Sequence, residues 1–168
     1  MDDDAVRWLT DDEELAWLSL ISVLMQLQPA LDAQLQRDSG LSFYEYGVLA
    51  SLSQVDDTVG LRMSDLAAVT NGQLPRLSQV ITRMEKRAWV ERCADPDDGR
   101  ATRVVLLPAG TEVLDAAAPG HVDQVRELVF DQLTETQVRR LHGICRTISQ
   151  ALGTPPLLLD IERQRSSD

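Results

Sequence analysis

Between Arg76 and Leu106 the hydrophobic period of the chain changes once, and that change restricts its folds more than any other feature. Up to Ala88 the period is helical. Leu77, Val80, Ile81, Met84 and Ala88 fall within one arc roughly 100° wide, with Arg76, Gln79, Thr82, Arg83 and Lys86 on the opposite arc. From Trp89 onward the pattern is that of two strands, Trp89–Ala94 and Ala101–Leu106. They are joined by Asp95-Pro96-Asp97-Asp98-Gly99-Arg100, with Pro and Gly at turn-favouring positions. A hairpin therefore follows directly on an amphipathic helix.

The flanking sequence is helical. The spacing of Trp17, Ile21, Leu24, Leu31 and Leu35 predicts a first helix from about Asp12 to Arg37. Pro29 lies inside it and supplies no amide to the Met25 carbonyl, so a kink or a restart is expected there. After Ser39-Gly40, Ser42 and Glu45 form a capping box, with Leu41 and Tyr46 as its hydrophobic staple, opening a second helix that runs to about Leu52. A third, short helix is expected with Ser64 as N-cap, Leu66 and Ala67 facing inward, and a stop at Asn71-Gly72. Pro75 occupies a first-turn position of the fourth.

Beyond the hairpin, helical patterning resumes after Pro108-Ala109-Gly110 and runs to about Asp131, with a kink expected at Pro119-Gly120. A last helix opens on the Thr134/Gln137 capping box, with Leu133 and Val138 as staple, and stops at Gly153. Along it Val138, Leu141, Cys145, Ile148 and Leu152 repeat at alternating intervals of three and four, a narrow coiled-coil-like seam. The expected fold class is mainly α with a small antiparallel β-wing. Three helices followed by a two-stranded hairpin is the order of a winged helix-turn-helix.

Composition sets the outer limits. At 168 residues the chain is long enough for its own core, and a hydrophobic fraction of 43% in a patterned sequence excludes disorder. Cys93 and Cys145 lie far apart with no Cys/His cluster beside them, which argues against zinc and fits a reducing compartment. Leu15–Leu27 is interrupted by Ser19, Ser22 and Gln26 and preceded by four carboxylates, so it reads as neither signal peptide nor membrane span. The net charge of −11 counts at face value against a polyanionic partner. Its distribution is uneven, however. Residues 1–61 carry 2 basic and 12 acidic side chains, whereas residues 62–103 carry 8 and 6.

That locally basic segment holds the chemistry a DNA reader needs. On the fourth helix Arg76 or Arg83 suits guanine O6 and N7, and Gln79 suits adenine N6 and N7, with Ser78 between them. The alternative is an ordinary solvated helix face. In the loop, Arg100 is placed to enter a minor groove, with Asp98 positioned to orient its guanidinium; the alternative is a surface ion pair. His121 and His142 have no neighbouring triad or metal signature. Trp8, Trp17, Phe43, Tyr44 and Tyr46 serve either the core or the lining of a ligand pocket.

Several runs of the sequence are similar to the MarR family of bacterial transcriptional regulators. They are Met63-Ser64-Asp65-Leu66-Ala67, Arg76-Leu77-Ser78 through Arg83-Met84-Glu85-Lys86-Arg87, Trp89-Val90-Glu91-Arg92, Asp95-Pro96-Asp97-Asp98-Gly99-Arg100-Ala101 and Leu106-Leu107-Pro108-Ala109-Gly110. The segments Ala118–Val122 and Phe130–Thr134 resemble an actinobacterial subgroup.

The resemblance implies a homodimer on double-stranded DNA, with residues 12–37 and 108–152 as the dimerisation region, 41–107 as the DNA-binding domain and 153–168 as a tail. Ser64, Arg76, Ser78, Gln79, Arg83, Lys86, Asp98 and Arg100 would face DNA; of the aromatic residues, Trp17, Tyr44 and Tyr46 are the candidates for a small aromatic ligand if they do not simply pack the core. It further implies a cytoplasmic regulator, most often a repressor, that needs no cofactor or metal, is not an enzyme and has no membrane partner. The competing function is a winged-helix protein-interaction module without DNA binding.

The chain departs from the family pattern in three places. Ala88 stands where Gly is usual, Leu107 replaces a Thr that would cap the next helix, and no cysteine lies near the start of the first helix. The Leu157–Ile161 run is either an added helix or disordered.

Overall fold

In a computed structural model of the chain, residues 6–56 and 59–153 are described; the Leu157–Ile161 run lies outside them. Helix α1 spans Asp11–Ser39. It starts one residue before the expected Asp12 because Thr10 caps it: Thr10 Oγ1 accepts the Glu13 N–H at 3.3 Å and Glu13 Oε2 accepts the Thr10 N–H at 2.8 Å. The helix does not restart at Pro29; it continues through it and closes on Gly40 in the left-handed conformation. By length and composition α1 could cross a membrane. Its C-terminal third is instead built into the protein, where Leu31, Gln34 and Leu35 are buried.

Helix α2, Phe43–Leu52, opens on the expected Ser42/Glu45 capping box and is tied back to α1 by the Phe43 N–H, which donates to Asp32 Oδ1 at 2.7 Å. A strand β1 of two residues, Leu61–Arg62, follows and leads without a break into α3, Met63–Val69. Here the sequence expectation fails. The N-cap is Arg62, with no side-chain cap bond, and Ser64 lies inside the helix, its Oγ donating to Asp65 Oδ1 at 3.3 Å. The reason is tertiary: Arg62 is extended because it pairs with Arg103, so the helix must begin immediately after it. Gly60, at φ +60°, makes that pairing possible, since a Cβ there would meet the Val104 carbonyl oxygen at 2.2 Å.

Helix α4, Leu74–Lys86, buries Leu77, Val80, Ile81 and Met84, the face its period foretells. Its end is a Schellman motif built on alanine. Ala88 takes φ +55°, its N–H donates to the Glu85 carbonyl, and the Trp89 N–H donates to the Met84 carbonyl. Strands β2, Val90–Ala94, and β3, Thr102–Leu106, pair antiparallel with Val90 opposite Leu106 and Ala94 opposite Thr102. With β1 they form a three-stranded sheet in the order β1-β3-β2.

Helix α5, Pro108–Leu128, begins without a side-chain cap at Leu107 and runs unbroken through Pro119; a short 3-10 turn, Phe130–Gln132, follows. Helix α6, Glu135–Ala151, carries the expected Thr134/Gln137 capping box. One apolar core joins α1, α2, α3, α4, the sheet and α5 through Leu35, Leu49, Leu66, Leu77, Ile81, Val90, Val104 and Leu114. Helix α6 buries no residue in the described chain. Leu15, Trp17, Leu18, Val23, Leu24 and Met25 of α1 and Ile144, Ile148 and Leu152 at the far end stay exposed.

Candidate nucleic-acid interface

Helix α4 is held from beneath by its buried apolar face, so its opposite face points outward by geometry alone: Arg76, Ser78, Gln79, Thr82, Arg83 and Lys86 are all exposed. Each cation has its own setting. Arg76 lies over the Tyr44 ring, its Cζ 4.8 Å from the centroid. Arg83 Nη2 stands 4.0 Å from Glu45 Oε1, the carboxylate that also caps α2. Arg87 stacks on Trp89 at 4.6 Å. Lys86 and Arg100 make no ion pair among the described residues.

The wing is organised by a residue that sequence reading passed over. Asp95, buried at the end of β2, accepts from Arg62 Nε at 2.6 Å and from Arg103 Nε at 2.7 Å. It also accepts the main-chain N–H groups of Asp97 and Asp98 at 2.9 and 3.1 Å. One carboxylate thus ties β1, β2, β3 and the loop together. The Arg62 hydrogen bond, reinforced by Arg103 and the Asp97 N–H, holds the Asp95 carboxyl far below the ordinary carboxylate range against the opposing effect of burial. The signal for this in sequence is faint: an Asp-Pro turn opening at the end of a strand.

Beyond Asp95 the loop closes with the Ala101 N–H on the Asp98 carbonyl at 2.8 Å and the Asp95 N–H on the Ala101 carbonyl at 3.1 Å. Asp98 Oδ1 accepts the main-chain N–H of Arg100 at 3.0 Å. The expected grip of Asp98 on the Arg100 guanidinium is therefore replaced by a grip on its backbone, and the side chain projects exposed from the tip. Ser64 is also exposed, on α3 rather than on α4 or the wing.

The three aromatic candidates separate. Tyr44 lines a cavity of about 760 Å³ together with Gln28, Phe43, Gln54, Asn71 and Arg76. Its hydroxyl lies 3.1 Å from Thr70 Oγ1 and against Gly72, where a Cβ would meet it at 2.0 Å. Tyr46 faces away from this cavity and packs on His121 with centroids 4.3 Å apart. Burial raises the Tyr46 phenol pKa and lowers that of the His121 imidazole, whose Nδ1 has no hydrogen-bond partner among the described residues. Trp17 stands on the exposed face of α1, half open to solvent.

Helices α2, α3 and α4 with the β2–β3 hairpin define a winged helix-turn-helix protein. The MarR family model matches residues 39–101. A MarR family transcriptional regulator of Streptomyces coelicolor, Sco3205, solved in complex with DNA, is 40% identical with a TM-score of 0.82, over 91% of this chain and 98% of that one. AbsC, another regulator of that family and organism, is 36% identical with a TM-score of 0.80, over 88% and 98%. The transcriptional repressor IacR of Pseudomonas putida is 26% identical over 95 residues, and the chain spans only about half its length, 54%. The chain belongs to the MarR family of transcriptional regulators.

Proposed function

We propose that the chain is a sequence-specific DNA-binding regulator that acts as a homodimer on a pseudo-palindromic operator. The observation that carries this reading is the pairing of an outward polar face on α4 with an exposed Arg100, free of ion pairs among the described residues, at the tip of a wing whose shape is fixed internally by Asp95. A helix of this width fits a major groove, and an arginine on a projecting loop suits the narrow minor groove beside it. Arg76, Ser78, Gln79, Arg83 and Lys86 would meet bases or phosphates, and Ser64 on α3 a neighbouring phosphate. The DNA complex of Sco3205 supports the same use of the fold.

Dimerisation is supported by the apolar residues that α1 and α6 leave open, Leu18, Leu24, Met25, Ile144 and Ile148 among them. Residues 12–37 and 108–152 would supply that interface and 41–107 the reading unit. Two reading helices about 34 Å apart would then enter successive major grooves. As a regulator of a reducing cytoplasm it would most simply repress. The cavity beside Tyr44 and Arg76 gives a small aromatic ligand a place from which to bias the spacing of the two units.

The test is a mobility-shift titration of the protein against its own upstream DNA at several salt concentrations. A salt-dependent shift at or below micromolar protein is expected. Arg83→Ala should relax base preference at its contact by about 1–3 kcal/mol. No shift at micromolar protein would overturn the reading in favour of a protein-interaction module.

A further inference from the structure

The two elements that would touch DNA are connected, beyond their shared core, by one side chain. Arg92 on β2 lays its guanidinium across the outer surface of α4. Nη2 donates to the Ser78 carbonyl at 2.8 Å and to Ser78 Oγ at 3.2 Å. Nη1 and Nη2 each lie 3.3 Å from Thr82 Oγ1, and Nη1 also donates to Glu85 Oε2. The Arg92 main-chain N–H completes the set, donating to Glu85 Oε1 at 3.1 Å. Among the described residues, every side-chain hydrogen bond between α4 and the hairpin passes through Arg92. Its side chain is only 25% exposed, and its charge is matched by Glu85.

We propose that Arg92 is a positioning residue for DNA reading: it sets the angle of the wing to α4, so that Arg100 and the α4 face fit adjacent grooves at once. The proposal rests on the DNA-binding reading above. Val90, Val104 and Leu106 anchor the hairpin in the core and β1 pairs with β3, but among the described residues only this fork hydrogen-bonds the outward half of β2 to the helix. A wing free to swing would have to be ordered on binding, and that cost falls on the specific complex, where both elements must fit together. Arginine suits the task because its planar group presents several donors in a fixed geometry, which a lysine ammonium does not.

Arg92 is already neutralised within the protein, so its removal should release no additional counterions. This separates it from an arginine that touches phosphate, and supplies a test. The wild type is used to enrich a preferred duplex from a random pool, and Arg92→Met, Arg92→Lys and Glu85→Gln are compared with it on that duplex and on a scrambled one, well below each variant's melting temperature. The ratio of specific to non-specific affinity should fall about tenfold in Arg92→Met, comparable to one mismatched base pair. Arg92→Lys should not restore it, and the salt slope of both Arg92 variants should match the wild type. Glu85→Gln keeps the side-chain volume while weakening the same bridge, and should lower the ratio in the same direction if Arg92→Met folds poorly.

A salt slope lower by about one unit in Arg92→Met would mean that Arg92 contacts phosphate and would overturn the proposal. An unchanged ratio in all variants would reduce Arg92 to a stabilising contact and overturn it equally. If the wild type enriches no duplex at all, the DNA reading itself falls, a result visible before any variant is made.

Discussion

The Asp98 carboxylate accepts the main-chain N–H of Arg100 at 3.0 Å, so it shapes the loop and leaves the arginine head free. An asparagine oxygen can do the same. Asp98→Asn should therefore bind DNA at least as tightly as the wild type, because it keeps the turn and removes a negative charge, whereas Asp98→Ala should bind more weakly. Arg100→Ala should weaken binding and lower the salt slope by about one unit. Titrations at three or more salt concentrations measure all three effects; equal losses in Asp98→Asn and Asp98→Ala would contradict the backbone role.

Asp95 makes the wing sensitive to acid. Its carboxyl ionises far more readily in the folded chain than in the unfolded one, chiefly through Arg62 and then Arg103. Its contribution to stability is fully present above the unfolded pKa of about 3.9 and is lost as pH falls below that value toward the folded one. Asp95→Asn should be less stable than the wild type at pH 7, with the gap narrowing by pH 3. Urea unfolding followed by tryptophan fluorescence at both pH values reads the gap; a constant gap would exclude the linkage.

Ala88 is exposed and held at φ +55°, a conformation that opposes its Cβ. Ala88→Gly should stabilise the protein by about 1 kcal/mol, since the relief of the left-handed strain exceeds the entropy that glycine loses on folding. Thermal or denaturant unfolding gives the sign directly.

His121 acts near neutrality. Burial between α5 and α2 lowers its pKa, and its rings of contact, Tyr46 and Phe43, offer no counter-charge. The unfolded chain binds the proton first as pH falls, so stability is retained above about pH 6.5 and declines below it. His121→Phe should flatten the decline between pH 7.5 and 5.5 in denaturant midpoints. An unchanged pH profile in that variant would assign the decline to other groups.

Local signals in the sequence located most of this fold. The capping boxes at Ser42/Glu45 and Thr134/Gln137 lie within four residues of the helices they open, and the buried face of α4 follows from its period alone. What the sequence hid depends on distant partners. Strand β1 is two residues long, too short to show a period, and exists because Leu61 and Arg62 meet Val104 and Arg103. The same pairing moved the start of α3 ahead of Ser64, to Met63. Asp95 reads locally as one carboxylate among several in an acidic loop. Its role appears only when the sheet brings Arg62, 33 residues away in sequence, beside it. The basic segment was legible as a sum of charges, but not the internal commitment of Arg62, Arg92 and Arg103 to carboxylates.

Helix α5 starts where the wing ends and passes over α1 at Gly120, whose Cβ position lies 3.3 Å from Gln34 Nε2. Because it stays continuous through Pro119, it is one helical element of 21 residues, about 32 Å long, and not two helices joined by a loop. Such an element transmits tilt. A rotation of about 5° around one end displaces the other by on the order of 3 Å, close to the rise of one base pair along DNA. On the DNA-reading function proposed above, a small adjustment among the terminal helices would reach the base of the wing at the scale of one base pair, where a break at Pro119 would have absorbed it.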